Sequence, residues 1–267
     1  MEIVNINFFG KNKRVLLGAG DSNAPTIIFF HGFPDNKSVW EGFFKKLPKE
    51  MNKLAIDLED LNSGDLIESQ MFLLQCLKQN GISVNNGLYF IGHDIGGPVM
   101  SFLSSHFKSD LRGMIYLNSM DLTTYRRNMV GAQLLKSWYA LAFQVPPYRW
   151  LMKRQPRSLE LVFRKFAPEH RGEIYFQTID HYKYFFKKLF KNKISINAEV
   201  PKLIILSKDD PFLKIPKKSM LPKNTEICVV RGGHWDILTQ SNIALKLIDK
   251  KLEEWGSMES EVNYVTV

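Results

Sequence analysis

A chain of 267 residues, 45% hydrophobic and with 19 phenylalanines, carries enough apolar material for a sizeable core. Its formal charge of +9 is confined to one stretch: residues 121–195 hold 15 Lys and Arg against 5 Asp and Glu, while the rest of the chain holds 21 against 22. Localised charge without any nucleic-acid motif argues against a nucleic-acid partner; it leaves weak contact of one basic region with anionic surfaces as an expectation.

The chain begins with Met1–Asn7, which alternates like a strand and lacks both a basic start and a long apolar run. Strands are predicted over Ile3–Phe9, Arg14–Gly18 and Thr26–Phe30, the last running into His31-Gly32-Phe33-Pro34-Asp35. A helix follows from about Ser38, then a strand at Lys53–Asp57, a helix at Leu66–Lys78, and strands at Leu88–Ile91 and Gly113–Leu117. From Asp121 to Ser195 the strand pattern gives way to helical stretches rich in aromatic and basic residues. Strands resume at Lys202–Leu206 and Thr225–Val230, and a helix spans Asn242–Trp255 with Leu245, Ile248 and Leu252 on one face. Strands separated by helices imply a parallel sheet, which binds ligands beyond the carboxyl ends of its strands. Cys76 and Cys228 lack metal-like spacing and read as reduced, buried thiols. No segment is apolar for 18 residues, so a soluble, cytoplasmic protein is expected.

The most telling segment is Gly87-Leu88-Tyr89-Phe90-Ile91-Gly92-His93-Asp94-Ile95-Gly96-Gly97: a buried strand, a glycine-flanked sharp turn and a helix start, with an aspartate at the tip. A hydroxyl attacking a saturated carbon would leave an ether that water does not readily cleave, whereas a carboxylate leaves a cleavable ester. Asp94 therefore points to substitution at saturated carbon. The carboxylate is already ionised at neutral pH, so a histidine is free to activate water for a second step.

These residues resemble the epoxide hydrolase branch of the α/β-hydrolase family. His31-Gly32-Phe33-Pro34 is similar to its HGxP loop, Gly92-His93-Asp94-Ile95-Gly96-Gly97 to its GHDxGG elbow, and Gly233-His234-Trp235 to its GHW loop. The resemblance implies an α/β-hydrolase fold: a mostly parallel sheet flanked by helices, with a core of residues 1–120 and 196–267 and an inserted helical cap at 121–195. It implies Asp94 as nucleophile, His234 as base, and the backbone N–H groups of Phe33 and Ile95 as oxyanion hole. His31, Pro34, Trp138 and Trp235 would line or shape the site. The acid that orients His234 falls at Asp210 when counted from Ser207, with Asp209 and Asp121 as alternatives. Two cap tyrosines, Tyr139 and either Tyr182 or Tyr184, would protonate the epoxide oxygen. No cofactor or metal is implied, and the substrate would be small and apolar or amphiphilic.

The departures are Ile95, where this branch often has Trp, and the short segment after Asp57. Dehalogenases share the Asp nucleophile, but the Trp after it that many use to hold halide is replaced here, and the arginines of fluoroacetate-type enzymes are absent. A haloalkane or haloacid substrate and a catalytically idle binding protein with a basic cap remain the alternatives.

Overall fold

A computed structural model describes residues 1–62, 64–128, 136, 145–154, 156–168, 170, 172–175, 179–181, 199–239 and 242–262. Strands β1 (Glu2–Phe8), β2 (Lys11–Gly18), β3 (Thr26–Phe30), β4 (Asn52–Ile56), β5 (Leu88–His93), β6 (Leu111–Leu117), β7 (Lys202–Ser207) and β8 (Thr225–Val230) form one sheet. Their order is β1-β2-β4-β3-β5-β6-β7-β8. The β1–β2 and β2–β4 pairs are antiparallel and every other neighbouring pair is parallel.

Sequence dictates this split. β3 and β5 are almost wholly apolar and buried along their whole length, as a parallel strand covered on both faces must be. β1 alternates Ile and Asn, and only its Ile6 and Phe8 are buried. It joins β2 through Phe9 and Gly10, both at positive φ (49° and 74°), the backbone signs of a two-residue hairpin turn.

Helices α1 (Glu41–Lys46), α2 (Leu66–Gln79) and α3 (Gly96–Ser104) alternate with the strands, and α4 (Leu122–Asn128), α5 (Pro146–Arg154) and α6 (Pro156–Phe166) lie between β6 and β7. The chain closes with α7 (Asp236–Thr239) and α8 (Asn242–Val262). One apolar layer joins Phe72, Leu73 and Leu103 to Phe90, Met114 and Ile204 on one face of the sheet. The other joins Trp40, Phe43, Ile248 and Trp255 to Phe29, Ile91, Ile115 and Ile205.

Among the departures from expectation are two boundaries and one burial. β2 starts at Lys11 because its polar residues pair along β1, where side-chain hydrophobicity gives no signal. The last helix runs past Trp255 to Val262: the Cβ position of Gly256 is near only Tyr89 Oη, 3.7 Å away, so nothing stops the helix there. Cys76 is buried, but Cys228 is half-buried, since β8 is an edge strand.

Candidate active site

Asp94 sits between the end of β5 and the first turn of α3, in the left-handed backbone region at φ 45°. A non-glycine residue there is strained and persists only where its surroundings impose it. Here they do: Ser119 Oγ donates to the Asp94 carbonyl at 2.5 Å, and Gly97 N–H donates to the same oxygen at 3.1 Å. The glycines are required by contact. A Cβ on Gly96 would lie 2.2 Å from Phe30 O, and one on Gly32 would lie 2.6 Å from Asp94 Cβ.

The loop after β3 comes over this turn. Phe33 N–H donates to Asp94 Oδ2 at 3.1 Å, which places one expected oxyanion donor on the carboxylate. Ile95, the other, is buried at the N-terminal end of α3. His31 is fully buried and serves the loop: its Nε2 accepts Leu58 N–H at 2.9 Å and its Nδ1 lies 2.8 Å from Gly32 O, a pattern that the neutral Nδ1–H tautomer satisfies. Pro34 carbonyl accepts Tyr175 N–H at 2.7 Å, so this loop also holds the segment between β6 and β7.

His234 follows β8 and is buried beside Asp210, its Nδ1 2.6 Å from Asp210 Oδ2. Burial works against a charged imidazole, but the charges of Asp210, Asp94 and Asp35 and the hydrogen bond to Asp210 raise its pKa above the ordinary value. Burial likewise works against the Asp210 carboxylate. The charge of His234, the hydrogen bond to it, and the N–H groups of Phe212 (2.7 Å) and Leu213 (3.0 Å) outweigh this and lower its pKa. The other two acids are placed elsewhere. Asp209 is exposed, and Asp121 caps α4 by accepting Thr123 N–H at 2.9 Å and Thr124 N–H at 3.1 Å.

Several residues without an assigned role complete the site. Asn118, at φ 40° just beyond β6, ties three loops together: Oδ1 accepts Ser207 N–H at 2.5 Å, and Nδ2 donates to Ser207 Oγ (2.9 Å), Gly233 O (3.2 Å) and His234 O (2.8 Å). Asp35 is buried, with Oδ1 2.8 Å from His170 Nε2 and Oδ2 accepting Trp235 Nε1–H at 3.0 Å. Burial opposes its charge, but His170, His93 and the Trp235 bond together lower its pKa. His93, whose pKa is lowered to about 3 by burial and by the charge of His234, donates Nε2–H to His234 O at 3.1 Å. Its Nδ1 is 3.9 Å from Asp35 Oδ2 and has no hydrogen-bond partner among the described residues. Tyr125 of α4 is buried near both Asp94 and Asp210; burial and the two carboxylate charges keep its hydroxyl protonated. A polar residue directly after a buried strand was the available signal for Asn118, because that is where parallel sheets build sites; Asp35 lies further along the loop that follows β3.

Tyr139, Tyr182, Tyr184 and Trp138 lie outside the described residues. From the same insertion, Lys136 Nζ donates to Asp210 O (2.8 Å) and Leu213 O (2.9 Å), against the loop that carries the acid. His31, Asp57 and Glu59 come close enough to suggest a cation site, but His31 Nε2 already accepts an N–H and Asp57 pairs with the Lys37 ammonium.

Sheet order and the placement of elbow and base loop are those of an α/β-hydrolase fold. No protein-family model matches the chain. It is 22% identical over 253 residues to monoacylglycerol lipase ABHD6 of Bos taurus, an overlap covering 84% of this chain and 74% of that one. It is 27% identical over 138 residues to epoxide hydrolase 4 of Homo sapiens, covering 49% of this chain and 38% of the relative. Among solved structures, a mutant epoxide hydrolase from Bacillus megaterium superposes with a TM-score of 0.66 at 16% identity, covering 95% of this chain and 99% of that one.

Proposed function

We propose that this protein opens epoxides to vicinal diols through an ester on Asp94. One observation carries the reading: an ionisable carboxylate, not a hydroxyl, stands at the elbow beneath Phe33 N–H, and a buried histidine–aspartate pair lies beside it. Such a carboxylate suits attack at saturated carbon rather than the acyl transfer expected of a lipase, whose elbow carries serine.

A carboxylate oxygen of Asp94 forms a bond to an epoxide carbon as the ring C–O bond breaks. Tyr139 and Tyr182, carried by an inserted cap, supply the proton to the ring oxygen. Water then gives a proton to His234 and attacks the ester carbonyl; charge develops on the oxygen that Phe33 N–H holds. His234 returns the proton to the departing diol oxygen, and the acid proton left on Asp94 restores the phenol. Asp210 fixes the His234 tautomer with Nε2 as the proton acceptor and stabilises the imidazolium.

The substrate is small and apolar or amphiphilic. The outer face of α5 and α6 meets anionic lipid surfaces: Trp150 (56% exposed) and Leu161 (69%) stand out from it, Arg154 lies over the Trp150 ring at 4.4 Å, and the surrounding segment is strongly basic. Among the described residues no helix is long and apolar enough to cross a membrane.

The test is intact-protein mass spectrometry of His234→Gln after exposure to epoxides and haloalkanes. The expected result is an adduct of a whole epoxide mapped to Asp94. An alkyl adduct lacking halogen would assign the protein to the dehalogenases, and no adduct from either set would favour an idle binding protein.

A further inference from the structure

The five residues His31–Asp35 reach the nucleophile, the β6–β7 insertion and the residue next to the base. Phe33 N–H holds the nucleophile, Pro34 O holds Tyr175 of the β6–β7 insertion, and Asp35 reaches both His170 of that insertion and Trp235 beside the base. The two contacts of Asp35 use different oxygens of one carboxylate, so neither partner moves without disturbing the other's acceptor. Trp235 in turn lies face to edge with His234, ring centroids 4.6 Å apart, and with His170 at 5.1 Å. Phe163 of α6 packs on Trp235 at 5.4 Å and on His170 at 5.4 Å, which closes an apolar sleeve around the carboxylate. Inside such a sleeve water cannot replace a lost partner.

We propose that Asp35 is a positioning residue: with one oxygen on His170 and the other on Trp235, it makes seating of the insertion over the site and alignment of His234 a single event. The proposal rests on the epoxide-opening reading for its kinetic consequence, but the linkage itself does not. An insertion that lifts releases Asp35 Oδ1 from His170, frees the loop that holds Trp235, and leaves His234 without the edge it packs against. Water activation is then confined to the closed molecule.

Three variants separate geometry from charge. Asp35→Ala removes both contacts. Asp35→Asn keeps an acceptor for Trp235 Nε1–H and offers its amide N–H to His170 Nε2, whose ring then carries its proton on Nδ1, a nitrogen with no hydrogen-bond partner among the described residues. His170→Ala removes the insertion's side alone. Without any substrate, hydrogen exchange at the Tyr175 amide and the NMR resonance of the Trp235 indole N–H are expected to change in Asp35→Ala and to stay near wild type in Asp35→Asn. His170→Ala should change the exchange. With styrene oxide as probe, ester formation, whose tyrosines the insertion carries, and ester discharge should both be about tenfold slower in Asp35→Ala, and both within about threefold of wild type in Asp35→Asn. Discharge at the wild-type rate in Asp35→Ala, or equal slowing in the Ala and Asn variants, would overturn the proposal. If no variant forms an ester, the chemistry fails, and exchange at Tyr175 together with the indole signal still decides whether the link exists.

Discussion

Replacing Asn118 with alanine should cost far more than a surface asparagine would. The side chain is fully buried; its Oδ1 accepts Ser207 N–H, and its two amide hydrogens are shared among three acceptors, Ser207 Oγ, Gly233 O and His234 O. In Asn118→Ala the Ser207 N–H loses this partner within the core; a buried donor left unmade costs roughly 1–3 kcal/mol. The carbonyls suffer less, because His234 O keeps His93 Nε2–H. Alanine at φ 40° adds about 1 kcal/mol of strain that asparagine largely escapes. The sum is about 2–4 kcal/mol, a large part of the roughly 5–15 kcal/mol that holds a domain together, and corresponds to a fall in Tm on the order of 10 °C. Urea unfolding of wild type, Asn118→Ala and Asn118→Gly checks it. The glycine variant should recover about 1 kcal/mol, since it loses the same bonds without the strain. A loss below about 1 kcal/mol in Asn118→Ala would refute the argument that this side chain ties β6, β7 and the base loop together.

Asp210→Asn should lower the His234 pKa, because it replaces the carboxylate that raises it. Ester discharge requires neutral His234, so the rate should climb with pH through a value above the ordinary imidazole range in wild type and through a lower one in the variant, at a reduced maximum. Single-turnover pH profiles measure this, and coincident limbs would contradict it. Gly96→Ala should give little soluble folded protein, because the new methyl would lie 2.2 Å from Phe30 O; soluble yield and circular dichroism report the outcome. Tyr139→Phe should slow ester formation about 100-fold in single-turnover experiments, and an unchanged rate removes it from the donor role. Trp150→Ser with Leu161→Ser should weaken binding to phosphatidylserine vesicles about tenfold; equal binding to neutral vesicles would argue against an electrostatic contact.

The sheet could be read from sequence because β3 and β5 are continuous apolar runs and β6 and β7 nearly so, each ending in polar or glycine residues. The strand-end positions of Asp94, His234 and Asp210 could be read because each lies in a short motif, and of the three candidate acids it is Asp210 that pairs with His234. Asp35 and Asn118 carried no such label. Their roles depend on partners up to 200 residues away in sequence, Trp235 for Asp35 and Ser207 and His234 for Asn118, and one-dimensional spacing does not encode which side chains meet across a fold. Helix termini were blurred for another reason: Gly256 looks like a stop but occupies an unobstructed turn.

The insertion leaves the sheet after β6 and returns to β7, and these strands are direct neighbours, with Leu117 paired to Ile205. Because they run parallel, the segment leaves β6 at Leu117 and enters β7 at Lys202, which pairs with Met114, so the sheet itself holds its two ends about 11 Å apart. Doubling the length of a segment closed in this way costs only about 0.6 kcal/mol of chain entropy. Lids of different size and lining can thus be exchanged over an unchanged sheet, so descendants of such a protein can acquire new substrates without first acquiring new stability.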